Sequence, residues 1–171
     1  MDRIEPGKPF EAPTQSVLSE WVDYNGHLNM AYYNVLFDRA LDAMFDRLGI
    51  GVDYVRTRKA SSFTAEIHVT YLQELLQGDP VRITVQLLDW DAKRLHFFEH
   101  MYHAEKGYHA EKGYLAATSE QMAIHVSMET RRAAPFPDDI QPLLAEMMDA
   151  HRSIPRPVQA GHVIGIPRKV A

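Results

Sequence analysis

The chain contains no cysteine. That excludes a thiolate nucleophile, a thiolate metal site and a disulfide framework, and it suits a reducing cytoplasm. Nowhere do about 18 apolar residues run together, the length a membrane-crossing helix needs. The opening residues Met-Asp-Arg-Ile-Glu-Pro-Gly-Lys-Pro hold no apolar signal core. A soluble, cytoplasmic protein with no membrane partner is expected. No Gly-x-Gly-x-x-Gly occurs, so the usual dinucleotide-binding loop is missing. Positive charge is in deficit, 18 Lys and Arg against 23 Asp and Glu. No nucleic-acid partner is therefore expected, although a local basic patch for nucleotide phosphates remains open. Nine histidines are present, but His96 and His100 fall in a strand pattern that sets them about 13 Å apart, too far to share a metal. No metal site is expected.

What the chain does have is an ordinary globular balance, 46% hydrophobic and 24% charged over 171 residues. That is enough for one domain with a real core, over 1–171, with an extended arm at 1–13 and an irregular tail at 153–171. A first strand is expected at 14–20 and a short helical turn within 49–55. Phe63, Ala65, Ile67, Val69 and Tyr71 alternate with polar residues, the period of a half-buried strand, which would place Thr64, Glu66 and His68 together on the other face. Val81, Ile83, Val85 and Leu87 repeat the pattern. A hairpin turn at 89–93 leads to strands at 94–102 and 115–128. Between them His-Ala-Glu-Lys-Gly-Tyr at 103–108 recurs unchanged at 109–114; an even insertion leaves the flanking side chains on their own faces. Asp138 or Asp139 should cap a last helix whose stripe is Ile140, Leu143, Leu144, Met147 and His151.

The most informative stretch is 21–30, Trp-Val-Asp-Tyr-Asn-Gly-His-Leu-Asn-Met. Asp23, Asn25 and Gly26 are turn residues, and Asn29 is a good helix N-cap. Met30, Tyr33, Phe37, Leu41, Met44 and Leu48 follow at spacings of three and four, and Gly49 stands where a helix ends. The spacing predicts a helix of about five turns with Asp23 just ahead of its positive end. One long early helix followed by hairpin-connected strands is an α+β arrangement, an antiparallel sheet wrapped around the helix.

Asp-Tyr-Asn-Gly-His-Leu-Asn before a long helix resembles the signature of hotdog-fold acyl-CoA thioesterases of the 4-hydroxybenzoyl-CoA thioesterase type. Ser-Phe-Thr-Ala-Glu-Ile-His at 62–68, Asp-Ala-Lys-Arg-Leu-His at 91–96 and Ile-Pro-Arg-Pro at 154–157 before Gly161 are similar to one branch of it. That branch comprises the thioesterase domain fused to L-carnitine dehydrogenases and its free-standing betainyl-CoA thioesterase relatives. The resemblance implies the hotdog fold and hydrolysis of a small acyl-CoA, betainyl-CoA foremost, with aromatic or fatty acyl-CoA as the alternative. It implies no cofactor beyond the coenzyme A of the substrate, and a homodimer or homotetramer with the site between subunits.

It also assigns roles. Asp23 would be the nucleophile or general base on the thioester carbonyl, and the Met30 backbone N–H the main oxyanion donor. Asn25 and Gly26 would meet the substrate, Gly26 by allowing close backbone approach. His27 either orients the loop or packs at the helix start, and Asn29 is a cap first and a site residue second. Thr64, Glu66 and His68 form a recurring feature of the branch, in which Glu66 could balance a quaternary ammonium. Tyr24, Tyr32, Tyr33, Phe63 and Trp90 could offer cation–π faces to the same group. Arg94, with Arg56, Arg58, Lys59 and Lys93, could meet coenzyme A phosphates. Two other readings stand beside hydrolysis: a hydratase or dehydratase on a related thioester, and a binding protein that holds one without turnover.

Overall fold

The computed structural model describes residues 4–105 and 113–166. Most of the hexapeptide repeat, and the tail proline Pro167, lie outside the described residues. The elements are β1 (Phe10–Glu11), β2 (Gln15–Ser16), a 3-10 turn (Ser19–Trp21), α1 (Met30–Arg47), α2 (Val52–Arg58), β3 (Ala60–Tyr71), β4 (Pro80–Trp90), β5 (Arg94–His103), β6 (Leu115–Ser127), β7 (Arg132–Ala133) and α3 (Gln141–His151). The strands form one antiparallel sheet in the order β1-β4-β5-β6-β3, with β2 also on β4 and β7 also on β6. The α+β hotdog architecture is the one expected.

α1 begins and ends as its sequence dictates. Asn29 accepts from the Ala31 N–H at 3.0 Å, and Gly49, at φ +72°, carries the chain out of the helix. Tyr33, Leu36, Phe37, Ala40, Leu41, Met44 and Phe45 form its buried face. Met30, expected on that stripe, is instead 65% exposed, because the first turn projects past the sheet, where its carbonyl accepts from the Tyr71 hydroxyl. The buried face packs on the inward residues of the sheet, Val81, Ile83, Val85 and Leu87 of β4 and Leu95, Phe97 and Met101 of β5. Each such side chain contributes about 2 kcal/mol by leaving water.

The ends of the chain depart more from expectation. Only Gln15–Ser16 of the stretch 14–20 is strand, and within the extended arm Phe10–Glu11 pairs with Val85 and Thr84 of β4. The helix after Gly51 absorbs the basic run up to Arg58. Neither Asp138 nor Asp139 caps α3: Asp139 pairs with Arg58 at 2.5 Å, and the N-cap position falls to Ile140. The α3 stripe is otherwise buried as expected at Ile140, Leu144, Met147 and His151.

One consequence of register matters for the site. β3 carries a bulge between Thr64 and Glu66, so that Thr64 lies opposite Ala123 while Glu66 lies opposite Met122. Neighbouring residues of β6 point to opposite faces, and so must their partners. Thr64 therefore lies on the helix side, and Glu66 and His68 lie on the outer side. The three do not share a face, contrary to the strict alternation read from the sequence, because the bulge inserts one residue into the count.

Behind Thr64 the helix side of the sheet holds a buried polar chain. The Thr64 hydroxyl donates to Gln121 Oε1 at 3.3 Å, and Gln121 Nε2 donates to Glu99 Oε2 at 2.6 Å and to Ser119 Oγ at 3.0 Å. Glu99 is fully buried, and burial pushes its carboxyl well above the ordinary 4.5. In the unfolded chain that carboxyl is ionised above 4.5, so folding there must take up a proton, and stability from this site falls as pH rises. Glu99→Gln keeps the shape without the titration. Its urea midpoint should exceed wild type at pH 8, and the gap should close as pH falls toward 4.5.

Candidate active site

The turn 23–27 is a closed loop. The Asp23 N–H donates to the His27 carbonyl at 3.0 Å, the Gly26 N–H donates to the Asp23 carbonyl at 3.0 Å, and Gly26 adopts φ +84°. A side chain at Gly26 would meet nothing within 4 Å, so glycine is needed there for conformation and leaves the backbone open to an approaching ligand. The loop is fastened on both sides, by Asn29 N–H to the Trp21 carbonyl at 2.9 Å and Leu28 N–H to the Leu75 carbonyl at 2.7 Å.

Within this frame the Asp23 side chain is 14% exposed. Its Oδ1 accepts from the Asn25 N–H at 2.8 Å, a bond that holds the carboxylate across the turn and leaves Oδ2 with no partner among the described residues. The His27 Nδ1 stands 3.9 Å from Asp23 Oδ1 and 3.2 Å from the Leu28 carbonyl. Both readings of His27 are thus visible in one side chain, a ring tied to its own backbone and facing the carboxylate.

The helix start supplies the donor. Ala31 N–H is taken by the Asn29 side chain and Tyr32 N–H by the Asn29 carbonyl. The Met30 N–H has no acceptor among the described residues, and it sits at the positive end of an 18-residue helix. A carboxylate and an unspent helix-terminal amide on one loop are the two parts an acyl-transfer site needs, an attacking or base group and a stabiliser of the oxyanion.

The remaining predicted residues lie elsewhere. Glu66, His68 and Arg94 line a cleft of about 580 Å³ on the outer face of the sheet, together with Trp90, His96 and Glu120. Arg94 is engaged by Asp91 through two bonds of 2.8 and 2.5 Å, and that guanidinium, with the Lys93 amide, holds Asp91 at about 2. Arg56 and Arg58 pair with Asp53 and Asp139. His96 Nε2 meets Glu120 Oε1 at 2.8 Å, and the other Glu120 oxygen accepts the Gly161 N–H at 2.6 Å, which draws the tail across the cleft. Of the aromatic candidates, Tyr24 is 97% exposed, Tyr32 stacks on Trp21, and Tyr33 packs edge-on against Tyr71.

A second groove, of about 380 Å³, was not anticipated. It runs between the outer side of α1 and the free edge of β3, and Asp38, Asp42, Asp46, Phe45, Ser62 and Thr64 are among its lining. The signal was present in the sequence, three aspartates at intervals of four beside the apolar stripe, but such a column reads equally well as a solvated helix face.

The chain is similar over residues 17–144 to the family described as the thioesterase-like superfamily. It is 40% identical over 158 residues to the betainyl-CoA thioesterase of Pseudomonas aeruginosa, covering 92% of this chain and 94% of that one. With the L-carnitine dehydrogenase/betainyl-CoA thioesterase of Ruegeria pomeroyi it shares 33% identity over 168 residues, 98% of this chain and 32% of the larger protein. A hypothetical protein of Staphylococcus aureus, solved in complex with CoA, superposes with a TM-score of 0.83 at 32% identity over 97% of this chain and all of that one. The loop carboxylate, the open helix terminus, the sheet order and these likenesses agree: the chain belongs to the thioesterase-like superfamily of hotdog proteins.

Proposed function

We propose that the protein is an acyl-CoA thioesterase whose substrate is betainyl-CoA. The observation that carries the reaction is the Asp23 carboxylate, held by the Asn25 amide on the same loop that ends in the unspent Met30 N–H. Asp23 either attacks the thioester carbonyl, giving a mixed anhydride that water then hydrolyses to free the acid and the carboxylate, or takes a proton from a water that attacks the carbonyl directly. In both cases the oxyanion forms against the Met30 amide, and the coenzyme A thiolate leaves with a proton. The 40% identity to a betainyl-CoA thioesterase over nearly the whole length supports the substrate. A CoA-thioester substrate also supports a cytoplasmic setting.

The working unit is a dimer or a higher oligomer built on it. β3 is the free edge of the sheet, twelve residues long, and Phe63, Ile67, Tyr71, Leu72 and Leu76 along and just beyond it are each about two-fifths exposed. An open edge of that length carrying large apolar side chains favours strand pairing with a second copy. A two-fold axis through such a pairing sets the two β3 strands antiparallel and puts the partner subunit beside the groove that borders each β3 edge. Asp42 and Asp46 lie about 18–24 Å along the axis from Met30 at the rise of an α-helix. The Asp42–Asp46 end of the groove is thus distant from its own helix N-terminus, which favours a site completed by the partner subunit.

Thiol release from betainyl-CoA, benzoyl-CoA and fatty acyl-CoAs tests the reading. Betainyl-CoA should show the highest kcat/KM of the panel. Turnover confined to other thioesters would retain the reaction and reject the substrate, and no turnover from folded protein would leave a binding protein.

A further inference from the structure

We propose that the groove between α1 and the free edge of β3 receives the acyl end of the substrate, with the Asp42 carboxylate as counter-ion to its trimethylammonium group. The inference rests on the thioesterase reading and deepens it.

Three observations converge on the groove. First, Asp38, Asp42 and Asp46 follow one another at single-turn intervals on α1, and among the described residues no Lys, Arg or His lines the groove with them. Asp42, the middle one, has no basic partner among the described residues, and burial, then the charges of Asp38 and Asp46, raise its carboxyl above the ordinary value. A fixed cation there would relieve both effects. Second, the floor is mixed in the way a methylated ammonium requires: Phe45 and Leu41 supply apolar contact for methyl groups that can donate no strong hydrogen bond. Third, the groove volume of about 380 Å³ suits a small acyl group.

Position decides between Asp42 and Glu66, the other carboxylate open to this role. In a betainyl thioester one methylene separates the ammonium nitrogen from the carbonyl carbon. If the carbonyl is polarised at a helix N-terminus, the ammonium must lie on the helix side of the sheet. Thr64 and Ser62 face that side, whereas Glu66, paired opposite Met122 and lining the outer cleft, lies across the sheet from it. The groove's negative charge also repels coenzyme A phosphates, so it orients the substrate by admitting only the cationic end.

The test pairs betainyl-CoA with 3,3-dimethylbutyryl-CoA, in which carbon replaces the nitrogen and shape is kept without charge. Both are assayed with wild type, Asp42→Asn and Glu66→Gln. Wild type should favour betainyl-CoA in kcat/KM by about 10-fold, the upper scale for a charge pair whose carboxylate is only partly shielded from solvent. Asp42→Asn should erase most of that ratio, by losing betainyl-CoA turnover while holding the neutral thioester within a few-fold. The variant removes like-charge repulsion from a helix face, so it should fold at least as well as wild type. A ratio unchanged in Asp42→Asn, or a ratio lost in Glu66→Gln instead, overturns the assignment. If Asp23→Asn abolishes both activities while Asp42→Asn leaves the ratio intact, the thioesterase reading stands and the groove assignment falls; wild type inactive on both thioesters sinks the two together.

Discussion

Asp23→Asn is expected to lower kcat for thioester hydrolysis by on the order of 1,000-fold, within the range seen when a positioned proton-transfer or nucleophilic group is removed. The change is nearly isosteric. Asn keeps an oxygen for the Asn25 N–H, so the loop that holds Asp23 Oδ1 at 2.8 Å should survive, and with it the tie from Gly26 N–H to the Asp23 carbonyl. What disappears is the negative charge on Oδ2, and with it attack or base catalysis. Binding of the CoA thioester should persist, so calorimetric titration of the variant should return an affinity close to the wild-type substrate affinity while the thiol assay falls silent. Residual activity above one-tenth of wild type would remove Asp23 from the reaction and shift attention to the helix terminus acting on water alone.

Loss of the β3 edge should be nearly as damaging by a different route. Phe63→Lys with Ile67→Lys places two charges on the free edge, where both residues are about two-fifths exposed. Charge on an edge strand opposes pairing with a second copy, and neither side chain belongs to the buried core of its own chain. The double variant should therefore remain folded and run as a monomer in sedimentation, with thermal stability lowered by the loss of assembly. Because Asp42 and Asp46 lie about 18–24 Å along α1 from the Met30 amide of their own chain, the monomer should hydrolyse betainyl-CoA at no more than a few per cent of the wild-type rate. A fully active monomer would show that each chain completes its own site.

The local parts of the molecule were legible in the sequence for a simple reason: they depend on neighbours a few residues away. The turn at Asp23, the Asn29 cap, the start of α1 at Met30 and its end before Gly49 follow from hydrogen bonds and φ preferences within one or two turns. The inward residues of β4 could be read from alternation alone. Alternation misled at Thr64, because a bulge is set by how β3 and β6 must twist against each other and leaves no mark in the spacing. Asp139 was misassigned as a cap because its partner, Arg58, comes from a helix 81 residues earlier.

What the sequence determined by itself, then, is the kind of chemistry available: a loop carboxylate before a helix terminus, no thiol, and a chain patterned for one helix on one antiparallel sheet. The tertiary structure decided where each polar group can act. It drove Glu99 into the core behind Gln121, set Glu66 and His68 on the outer cleft, and opened the groove that Asp42 shares with Ser62. Those assignments depend on which face a strand turns and which edge stays free, and such properties arise only when segments distant in the chain pack together.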